Sequence, residues 1–228
     1  MEKLEYLSKI DLFDYLSEKE MEELAEESTM STLPLGTIVQ TPYGLSKGIY
    51  LLKKGKMRMY TLSDDGKQFT SGILGPGSAF GDTTYFSLGT KDTYIETITD
   101  TLICTIPIPS FERFLLNHPS LMMTLMKSLS QKIEEQNQML KQLALYDIKD
   151  RLIFWLCKLA NDFGHESGDY IAIDLNLSHQ ELANMIGSTR ESVSLTLKEL
   201  VKKDIISSGR LKVSVKKTYL EGVNSNEV

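Results

Sequence analysis

Residues 190–198 combine hydrogen-bonding side chains of different types at helical spacing. Arg190 carries a planar guanidinium that can donate two parallel hydrogen bonds, whereas the carboxylate of Glu191 can only accept. Ser194 can donate or accept, Leu195 offers an apolar contact, and Lys198 offers a point charge. Because the spacing is three or four residues, a helix would present these groups on one outward face. Such a face can recognise a flat polar surface that displays donors and acceptors in a fixed pattern.

Two predicted helices would position that face. Residues 178–181 (Ser-His-Gln-Glu) have the spacing of a capping box and predict a helix that ends at Gly187. Residues 188–191 (Ser-Thr-Arg-Glu) repeat the pattern ten positions later and predict a second helix. The predicted buried residues are Leu182, Ala183 and Ile186 in the first helix and Val193, Leu197, Leu200 and Val201 in the second. Two capped helices joined by a short glycine turn indicate a helix-turn-helix.

The segment after the second helix predicts a β-hairpin over residues 205–215, with Ser208-Gly209 at its tip, so that the helix pair becomes winged. Residues 189–217 hold eight basic and three acidic side chains, whereas residues 1–30 hold ten acidic side chains and three lysines. This asymmetry suggests a basic module on an acidic body, although a solvated charged face also explains it. Together with the caps, the glycine turn and the wing, it favours double-stranded DNA as the partner.

The second helix of a helix-turn-helix places its early residues against base edges in the major groove. Arg190 can bind O6 and N7 of guanine, Glu191 can accept from the amino group of cytosine, and Leu195 can contact the thymine methyl group. The alternative is that Arg190 and Glu191 are only surface residues of a first turn. Other groups suit phosphates, which position the protein without specifying sequence. The predicted DNA-binding set is Ser178, His179, Gln180, Thr189, Arg190, Glu191, Ser194, Leu195, Lys198 and Arg210.

Residues 36–108 are rich in threonine, tyrosine, isoleucine, leucine and glycine, in short segments separated by turns. The predicted strands are residues 48–53, 56–62, 68–74, 94–98 and 101–106, and Pro107 and Pro109 end the run. Many short strands separated by turns indicate a small barrel or a jelly roll. Before this region, residues 17–20 form a capping box that predicts a helix to about residue 28.

A long helix is predicted to begin at Pro119, because no further glycine or proline occurs before Gly164. Residues of one stripe recur every three or four positions along it, namely Met122, Leu125, Leu129, Ile133, Gln136, Leu140 and Leu143. The narrow stripe between polar flanks favours a dimeric coiled coil, although packing on the helix's own domain also explains it. The polar Gln136 would fix the register or face a ligand. After this helix, we expect a helix over residues 148–163, a loop over 164–168 and a strand over 170–175.

Residues 178–194 resemble the DNA-binding signature of the CRP/FNR family of bacterial transcription regulators, and residues 74–82 resemble the glycine-rich turn of its cyclic-nucleotide-binding fold. The resemblance covers nearly the whole chain. It implies an α+β protein with an N-terminal antiparallel β jelly roll, a long dimerisation helix and a C-terminal winged helix-turn-helix. The corresponding boundaries are residues 1–117 for a sensory barrel with N-terminal helices, 118–146 for the dimerisation helix and 147–228 for the DNA-binding domain.

The resemblance also implies a homodimer on a palindromic operator, with one recognition helix in each of two major grooves about one helical turn apart. It implies RNA polymerase as a further partner. A ligand at the junction of barrel and long helix would reorient the DNA-binding domains. The predicted effector pocket consists of Gly81, Asp82, Thr83, Asp92, Thr93, Gln136 and Asn137.

Several positions depart from the family pattern. Members that bind cyclic AMP have a glutamate for the ribose and an Arg-Ser pair for the phosphate, where this chain has Asp82 and Asp92-Thr93. Since an aspartate repels a phosphodiester, we expect that cyclic AMP is not the effector and that the pocket holds another small molecule or none. Leu195 replaces an arginine found in many members, which should change the preferred half-site. The alternative is a regulator without a small-molecule effector, controlled by abundance, redox state or a protein partner.

The chain lacks residues that several other functional classes require. The two cysteines, Cys104 and Cys157, cannot form the amino-terminal cysteine cluster of an iron–sulfur sensor, and we expect both to be buried structural thiols. No histidine lies in residues 36–108, which argues against a histidine-ligated haem or a cupin-type metalloenzyme in the barrel. We therefore expect a non-enzymatic protein without a cofactor. The absence of a long apolar run predicts a cytoplasmic protein without a membrane segment.

Overall fold

The computed structural model describes residue 13 and residues 16–44 and 48–224 of the 228-residue chain. The chain separates into two compact units. The first comprises residues up to 136 except 64–70, and the second comprises residues 64–70 together with residues from 137 onward. Among the helices within the described ranges, none is both long and apolar enough to cross a membrane.

Strands between residues 29 and 107 form two four-stranded sheets. The strands are β1 (Thr29–Leu33), β2 (Ile38–Gln40), β3 (Gly48–Lys54), β4 (Met57–Leu62), β5 (Gln68–Leu74), β6 (Ala79–Phe80), β7 (Tyr94–Thr97) and β8 (Thr101–Pro107). The strand orders are β1-β8-β3-β6 and β2-β7-β4-β5, and strand β8 pairs antiparallel with both β1 and β3. The predicted jelly-roll strands are thus confirmed to within two residues, whereas β1, β2 and β6 were not predicted.

Strand β3 is buried on both of its faces, which explains its nearly continuous apolar sequence. Tyr50 and Leu52 point to a core cluster that includes Phe80 and Ile95 of other strands. Ile49 and Leu51 point the opposite way, to a second core cluster that the barrel shares with the helices. Because side chains alternate along a strand, one strand can supply both cores.

Three helices cover the second of these clusters. Helix α1 (Glu18–Glu27) begins at the predicted capping box, in which Ser17 is the N-cap. Helix α2 (Ile108–Asn117) was not predicted, because Pro107 and Pro109 were interpreted only as ending the strands. Proline also suits the first turn of a helix, where its missing N–H is not needed, and Pro109 has this role here, whereas Pro107 is the N-cap.

Helix α3 (Pro119–Leu145) is the predicted long helix. Its first part packs on the barrel through Leu121 and Leu125, which are buried in the core cluster of the first unit. The prediction that Leu125 belongs to a dimer stripe is therefore wrong, because its side chain is only 4% exposed within its own subunit. The neighbouring Met126 is 58% exposed.

The second unit contains helix α4 (Ile148–Phe163), strands β9 (Gly164–Ser167) and β10 (Tyr170–Ile173), helices α5 (His179–Ile186) and α6 (Arg190–Lys202), strands β11 (Ile206–Gly209) and β12 (Lys212–Lys216), and helix α7 (Lys217–Asn224). Its sheet has the order β11-β12-β10-β9. The predicted loop over residues 164–168 is wrong, since β9 pairs with β10. All four β9 residues are exposed, so this strand depends on backbone pairing and has no apolar alternation to reveal it.

Candidate DNA-binding surface and barrel cassette

The first helix of the predicted helix-turn-helix is fixed by hydrogen bonds at both ends. At its start, Ser178 Oγ accepts from the Glu181 N–H at 3.1 Å, and a Glu181 carboxylate oxygen accepts from the Ser178 N–H at 2.7 Å. At its end, Gly187 has a φ of 62°, in the left-handed region that favours glycine. This capping box and the glycine stop are confirmed.

The second helix begins one residue later than predicted. Thr189, not Ser188, is the N-cap of α6, and Thr189 Oγ1 accepts from the Ser192 N–H at 3.2 Å. The Ser188 N–H donates to Ala183 O at 3.0 Å and completes the end of α5, so it cannot donate to the Glu191 carboxylate as a capping box with Ser188 as the N-cap would require. The predicted capping box with Glu191 is therefore wrong, although the predicted pair of capped helices is correct.

Helix α6 buries Val193, Leu197 and Leu200, as predicted. Val201 is 43% exposed, and its predicted burial is wrong. The outward side of the helix presents Arg190, Glu191, Leu195 and Lys198, all of which are exposed. Leu195 is 69% exposed, although leucine is an apolar residue. The structure thus places these four predicted DNA-binding side chains on the solvent side of one helix.

Ser194 is also on α6 but is only half-exposed. Its Oγ donates to Arg190 O at 2.8 Å and lies 2.6 Å from Nδ1 of His179, the first residue of α5. The structure therefore joins two predicted DNA-binding residues, one from each helix. On α5, the exposed Gln180 side chain donates to Asn184 at 2.9 Å.

The tip of the wing differs from the prediction. Gly209 pairs with Lys212, so the turn consists of Arg210 and Leu211 rather than Ser208 and Gly209. The Leu177 N–H donates to Leu211 O at 3.0 Å, which ties the tip of the wing to the residue before the Ser178 cap. This bond holds the exposed Arg210 near the start of α5, beside the residues predicted to contact phosphates.

Part of the basic charge in this unit is neutralised internally. Lys203 pairs with Glu199 at 2.6 Å, Lys217 pairs with Glu166 at 2.9 Å, and Lys216 pairs with Asp204. Hydrogen bonds from Lys216 and from the Tyr170 hydroxyl lower the pKa of Asp204. The other five basic residues of segment 189–217 are exposed, namely Arg190, Lys198, Lys202, Arg210 and Lys212.

The first unit contains a second candidate site, the cassette (residues 79–93), which joins β6 to β7. Gly81 N–H donates to Thr90 Oγ1 at 3.1 Å, and Thr93 Oγ1 donates to Thr90 O at 2.5 Å. Thr90 therefore bonds directly to two residues of the predicted pocket, Gly81 and Thr93. A third pocket residue, Asp82, is connected to Thr90 through the side chain of Gln40, which bonds to both. The Thr83 hydroxyl donates instead to Phe86 O within the loop at 3.0 Å, and Asp92 is exposed with a φ of 59°.

Gln40 was missed by the sequence analysis. Its amide nitrogen donates to Thr90 O at 2.6 Å and to an Asp82 carboxylate oxygen at 3.3 Å. Gln40 Oε1 and the other Asp82 oxygen, Oδ1, are buried acceptors with no hydrogen-bond partner among the described residues. Two neighbouring acceptors, one in the cassette and one on β2, are therefore unsatisfied within this part of the chain.

Lys132 of α3 was also missed. Its ammonium donates to Leu88 O at 2.7 Å and to Ala79 O at 3.4 Å, on the two sides of the Gly81-Asp82 turn. Burial lowers the pKa of Lys132. The predicted pocket residues Gln136 and Asn137, one turn further along α3, are exposed.

Both cysteines are buried, as predicted. Burial raises the pKa of Cys157 to about 11, which keeps this thiol protonated and unreactive at neutral pH. Over the ranges that the structure describes, no group of three or more histidine, cysteine, aspartate or glutamate residues could hold a metal ion.

Two family models match the chain, one over each candidate site. The cyclic nucleotide-binding domain matches residues 32–118, and the Crp-like helix-turn-helix domain matches residues 150–218. In fold, the chain is similar to a mutant of CooA from Carboxydothermus hydrogenoformans, with a TM-score of 0.72 and 23% identity over 94% of this chain and 93% of that chain. It is also similar to the c-di-GMP-responsive global regulator CLP of Xanthomonas campestris, with a TM-score of 0.73 and 21% identity over 88% of this chain and 99% of that chain.

The relatives in sequence are transcription regulators and not enzymes. The global nitrogen regulator of Nostoc sp. is 33% identical over 171 residues, which cover 74% of this chain and 77% of the relative. The CRP-like cAMP-activated global transcriptional regulator of Mycobacterium tuberculosis is 23% identical over 193 residues, which cover 85% and 86% of the two chains. Both family models match in order along the chain, and the Nostoc regulator is 33% identical over most of both sequences. The chain therefore belongs to the CRP/FNR family of transcription regulators.

Proposed function

We propose that this protein is a homodimeric transcription regulator that binds a palindromic operator with α6 of each subunit in a major groove. The observation that carries the proposal is the outward side of α6, where Arg190, Glu191 and Leu195 are exposed close to a precisely capped helix start. These are the positions from which a recognition helix contacts base edges. Arg190 would bind guanine, Glu191 would accept from cytosine, and Leu195 would contact a thymine methyl group.

The phosphate contacts in this proposal come from residues around that helix. Ser178, His179 and Gln180 lie at the start of α5, and Thr189 caps α6. Lys198 lies on α6 and Arg210 at the tip of the wing. Since phosphate contacts carry no sequence information, these residues would set affinity and register rather than specificity.

The dimer in this proposal forms through α3. Met122, Leu129, Gln136 and Leu143 recur every seven residues, and so do Met126, Ile133 and Leu140. The two series are offset by three or four residues, which is the pattern of the core positions of a coiled coil. Met126, Ile133 and Leu140 are each more than half exposed in the subunit, so a partner helix would remove their apolar surface from water. RNA polymerase is the further partner that we expect for a regulator of this kind.

We infer that cyclic AMP is not the effector of the barrel. Asp92 and Thr93 stand where cyclic-AMP-binding members have the Arg-Ser pair for the phosphate, so the chain offers a carboxylate in place of a guanidinium and would repel a phosphodiester. The cassette is also bonded by a cation of its own chain, since Lys132 donates to carbonyls on both sides of the turn. This contact favours the alternative that the barrel needs no small-molecule effector. An effector that does bind there would have to offer hydrogen-bond donors to Asp82 and Gln40.

Selection of duplexes from a random pool with the purified full-length protein tests the proposed function. We expect a palindrome whose half-site centres lie about 10 base pairs apart, or a multiple of that spacing. Arg190→Ala should weaken binding to the selected duplex by roughly 5- to 150-fold per half-site and remove preference at one symmetric position, in line with about 1–3 kcal/mol for each bidentate contact.

The matched variants distinguish specific from general contacts. Lys198→Ala should weaken all duplexes by similar factors and lower the slope of log affinity against log salt by about one per subunit. Lys19→Ala, which removes an exposed lysine of α1, should leave binding unchanged. Recovery of no sequence, or equal binding of the selected duplex by Arg190→Ala and the unmodified protein, would contradict the proposal.

A further inference from the structure

A chain of hydrogen bonds connects the two helices of the DNA-binding unit at their outward side. His179 Nδ1 lies 2.6 Å from Ser194 Oγ, and Ser194 Oγ lies 2.8 Å from Arg190 O. His179 and Ser194 are both half-buried, so these bonds are partly shielded from water. The chain therefore fixes the orientation of the imidazole ring relative to α6.

The chemistry of these three groups determines which nitrogen of His179 carries a proton. The carbonyl oxygen of Arg190 can only accept, so the single hydroxyl proton of Ser194 must point toward it. Ser194 Oγ is then an acceptor toward His179, and Nδ1 must be the donor. In the neutral ring, a proton on Nδ1 leaves Nε2 with a lone pair and no hydrogen.

That protonation state matters for binding to DNA, because a phosphate oxygen can accept a hydrogen bond but cannot donate one. A neutral His179 with its proton on Nδ1 would turn the bare Nε2 toward the phosphate and would be repelled by it. The imidazolium keeps the bond to Ser194 and gains an Nε2–H that can donate to the phosphate with the assistance of its charge.

We propose that His179 binds a DNA phosphate only as the imidazolium, so that each subunit takes up one proton when the regulator binds its operator. The inference rests on the proposed function, since it assigns a role in DNA binding to His179. Ser194 is the positioning residue, because its bond to Arg190 O selects the tautomer of His179. Operator occupancy then increases as the pH falls through the range in which histidine titrates.

The charged groups near His179, or on the helices that pack against α5, come from α5, α6, α4 and the wing, where Arg210 lies near the start of α5. On α5 itself, the Glu181 carboxylate is held by the Ser178 N–H. On α6, Arg190, Glu191 and Lys198 are exposed. Helix α4 also packs against α5, and on it Lys158 pairs with Asp162 at 3.8 Å. Lys149 of α4 and Asp147, the N-cap of α4, interact electrostatically with Glu199 of α6. Carboxylates, ammonium groups and guanidinium groups ordinarily titrate outside the range from pH 6 to 8, whereas an imidazole ordinarily titrates within it, so the pH dependence within this range would come from the imidazole.

The affinity of the full-length protein for a duplex recovered by the selection experiment should be measured from about pH 8 to about pH 6 at constant salt. One proton per subunit permits at most a tenfold change per pH unit per subunit, and we expect a gain of roughly tenfold or more across the range. His179→Gln should lose this dependence, since an amide offers a donor without titrating. His165→Gln, at an exposed position in β9 of the same unit, should retain it.

Ser194→Ala tests the tautomer. Without the hydroxyl, the neutral ring can place its proton on Nε2 and donate to phosphate, so the pH dependence should shrink while His179 remains. Nitrogen NMR of the unmodified protein above neutral pH should show the proton of the neutral His179 ring on Nδ1, with His179→Gln identifying the signal.

A duplex that is bound equally tightly at all these pH values, a His179→Gln variant with the pH dependence of the unmodified protein, or a neutral ring protonated on Nε2 would overturn this inference and leave the proposed function intact. Failure to bind any selected duplex across the whole pH range would overturn both.

Discussion

Leu125 and Met126 are neighbours in α3 with opposite surroundings, and truncation of each to alanine should therefore affect different properties. Leu125 is 4% exposed and belongs to the core cluster that α3 shares with the barrel. Met126 is 58% exposed and falls in the heptad series with Ile133 and Leu140. We expect Leu125→Ala to destabilise the subunit and Met126→Ala to weaken the proposed dimer.

The expected magnitudes follow from burial. Removal of a fully buried leucine side chain leaves a cavity and typically costs about 2–5 kcal/mol, so Leu125→Ala should lower the free energy of unfolding by an amount in this range. Because Met126 is mostly exposed in the subunit, its truncation should change the stability of the isolated subunit little. In a dimer its side chain would be buried twice, and at about 1–2 kcal/mol per copy the loss would be roughly 2–4 kcal/mol. That loss weakens the dimer by about 30- to 1000-fold.

Two measurements on both variants separate the effects. Sedimentation over a dilution series gives the dimer dissociation constant, and urea unfolding at a protein concentration that keeps the dimer associated gives the midpoint and the slope. Because unfolding of a dimer depends on concentration, the unfolding curves should be compared at several concentrations. A Met126→Ala protein with an unchanged dissociation constant would refute the heptad assignment. A Leu125→Ala protein as stable as the unmodified one would refute the assignment of Leu125 to the core.

Three further results are expected. Burial lowers the pKa of Lys132, so the unfolded chain binds more protons than the folded chain at pH values between this lowered pKa and the ordinary 10.5. The free energy of unfolding should therefore rise with pH over this interval in the unmodified protein, relative to Lys132→Met. Parallel pH profiles of the two proteins would contradict this. With its pKa raised to about 11, Cys157 should resist alkylation near pH 8 until the protein is unfolded, as mass spectrometry would show, and rapid labelling of the folded protein would be the contrary result. Calorimetric titration with cyclic AMP should give no binding heat, whereas an affinity in the micromolar range would refute the argument from Asp92.

Structural features that depend on residues close together in the sequence, such as helix caps, were predictable from it. The capping boxes at Ser17 and Ser178 were found because four consecutive residues contain the complete hydrogen-bonding pattern. The prediction failed at Ser188, where two local patterns compete for one residue. Ser188 can cap α6 or complete the end of α5, and the geometry imposed by Gly187 selects the second role.

Contacts between elements distant in sequence were not predictable in this way. The approach of Lys132 to the cassette joins residues more than forty positions apart, and a lysine on a polar helix gives no sign of burial. Gln40 similarly stands in a three-residue strand whose pairing becomes visible only in the folded sheet. The same limit explains Leu125, because a stripe with a period of three or four residues fits both a partner helix and the chain's own barrel.

The bonds of Ser194 also restrict how the proposed recognition helix can discriminate between bases. With its proton committed to Arg190 O and one lone pair facing His179, the hydroxyl has at most one remaining lone pair and nothing to donate. Ser194 could then only accept, from the amino group of adenine or cytosine, and would reject the acceptors of guanine and thymine. Arg190 would supply the donors to guanine, and Glu191 would accept from cytosine. Discrimination would therefore be strongest at the base pairs that face Arg190 and Glu191, and Ser194→Ala should change preference less than Arg190→Ala does.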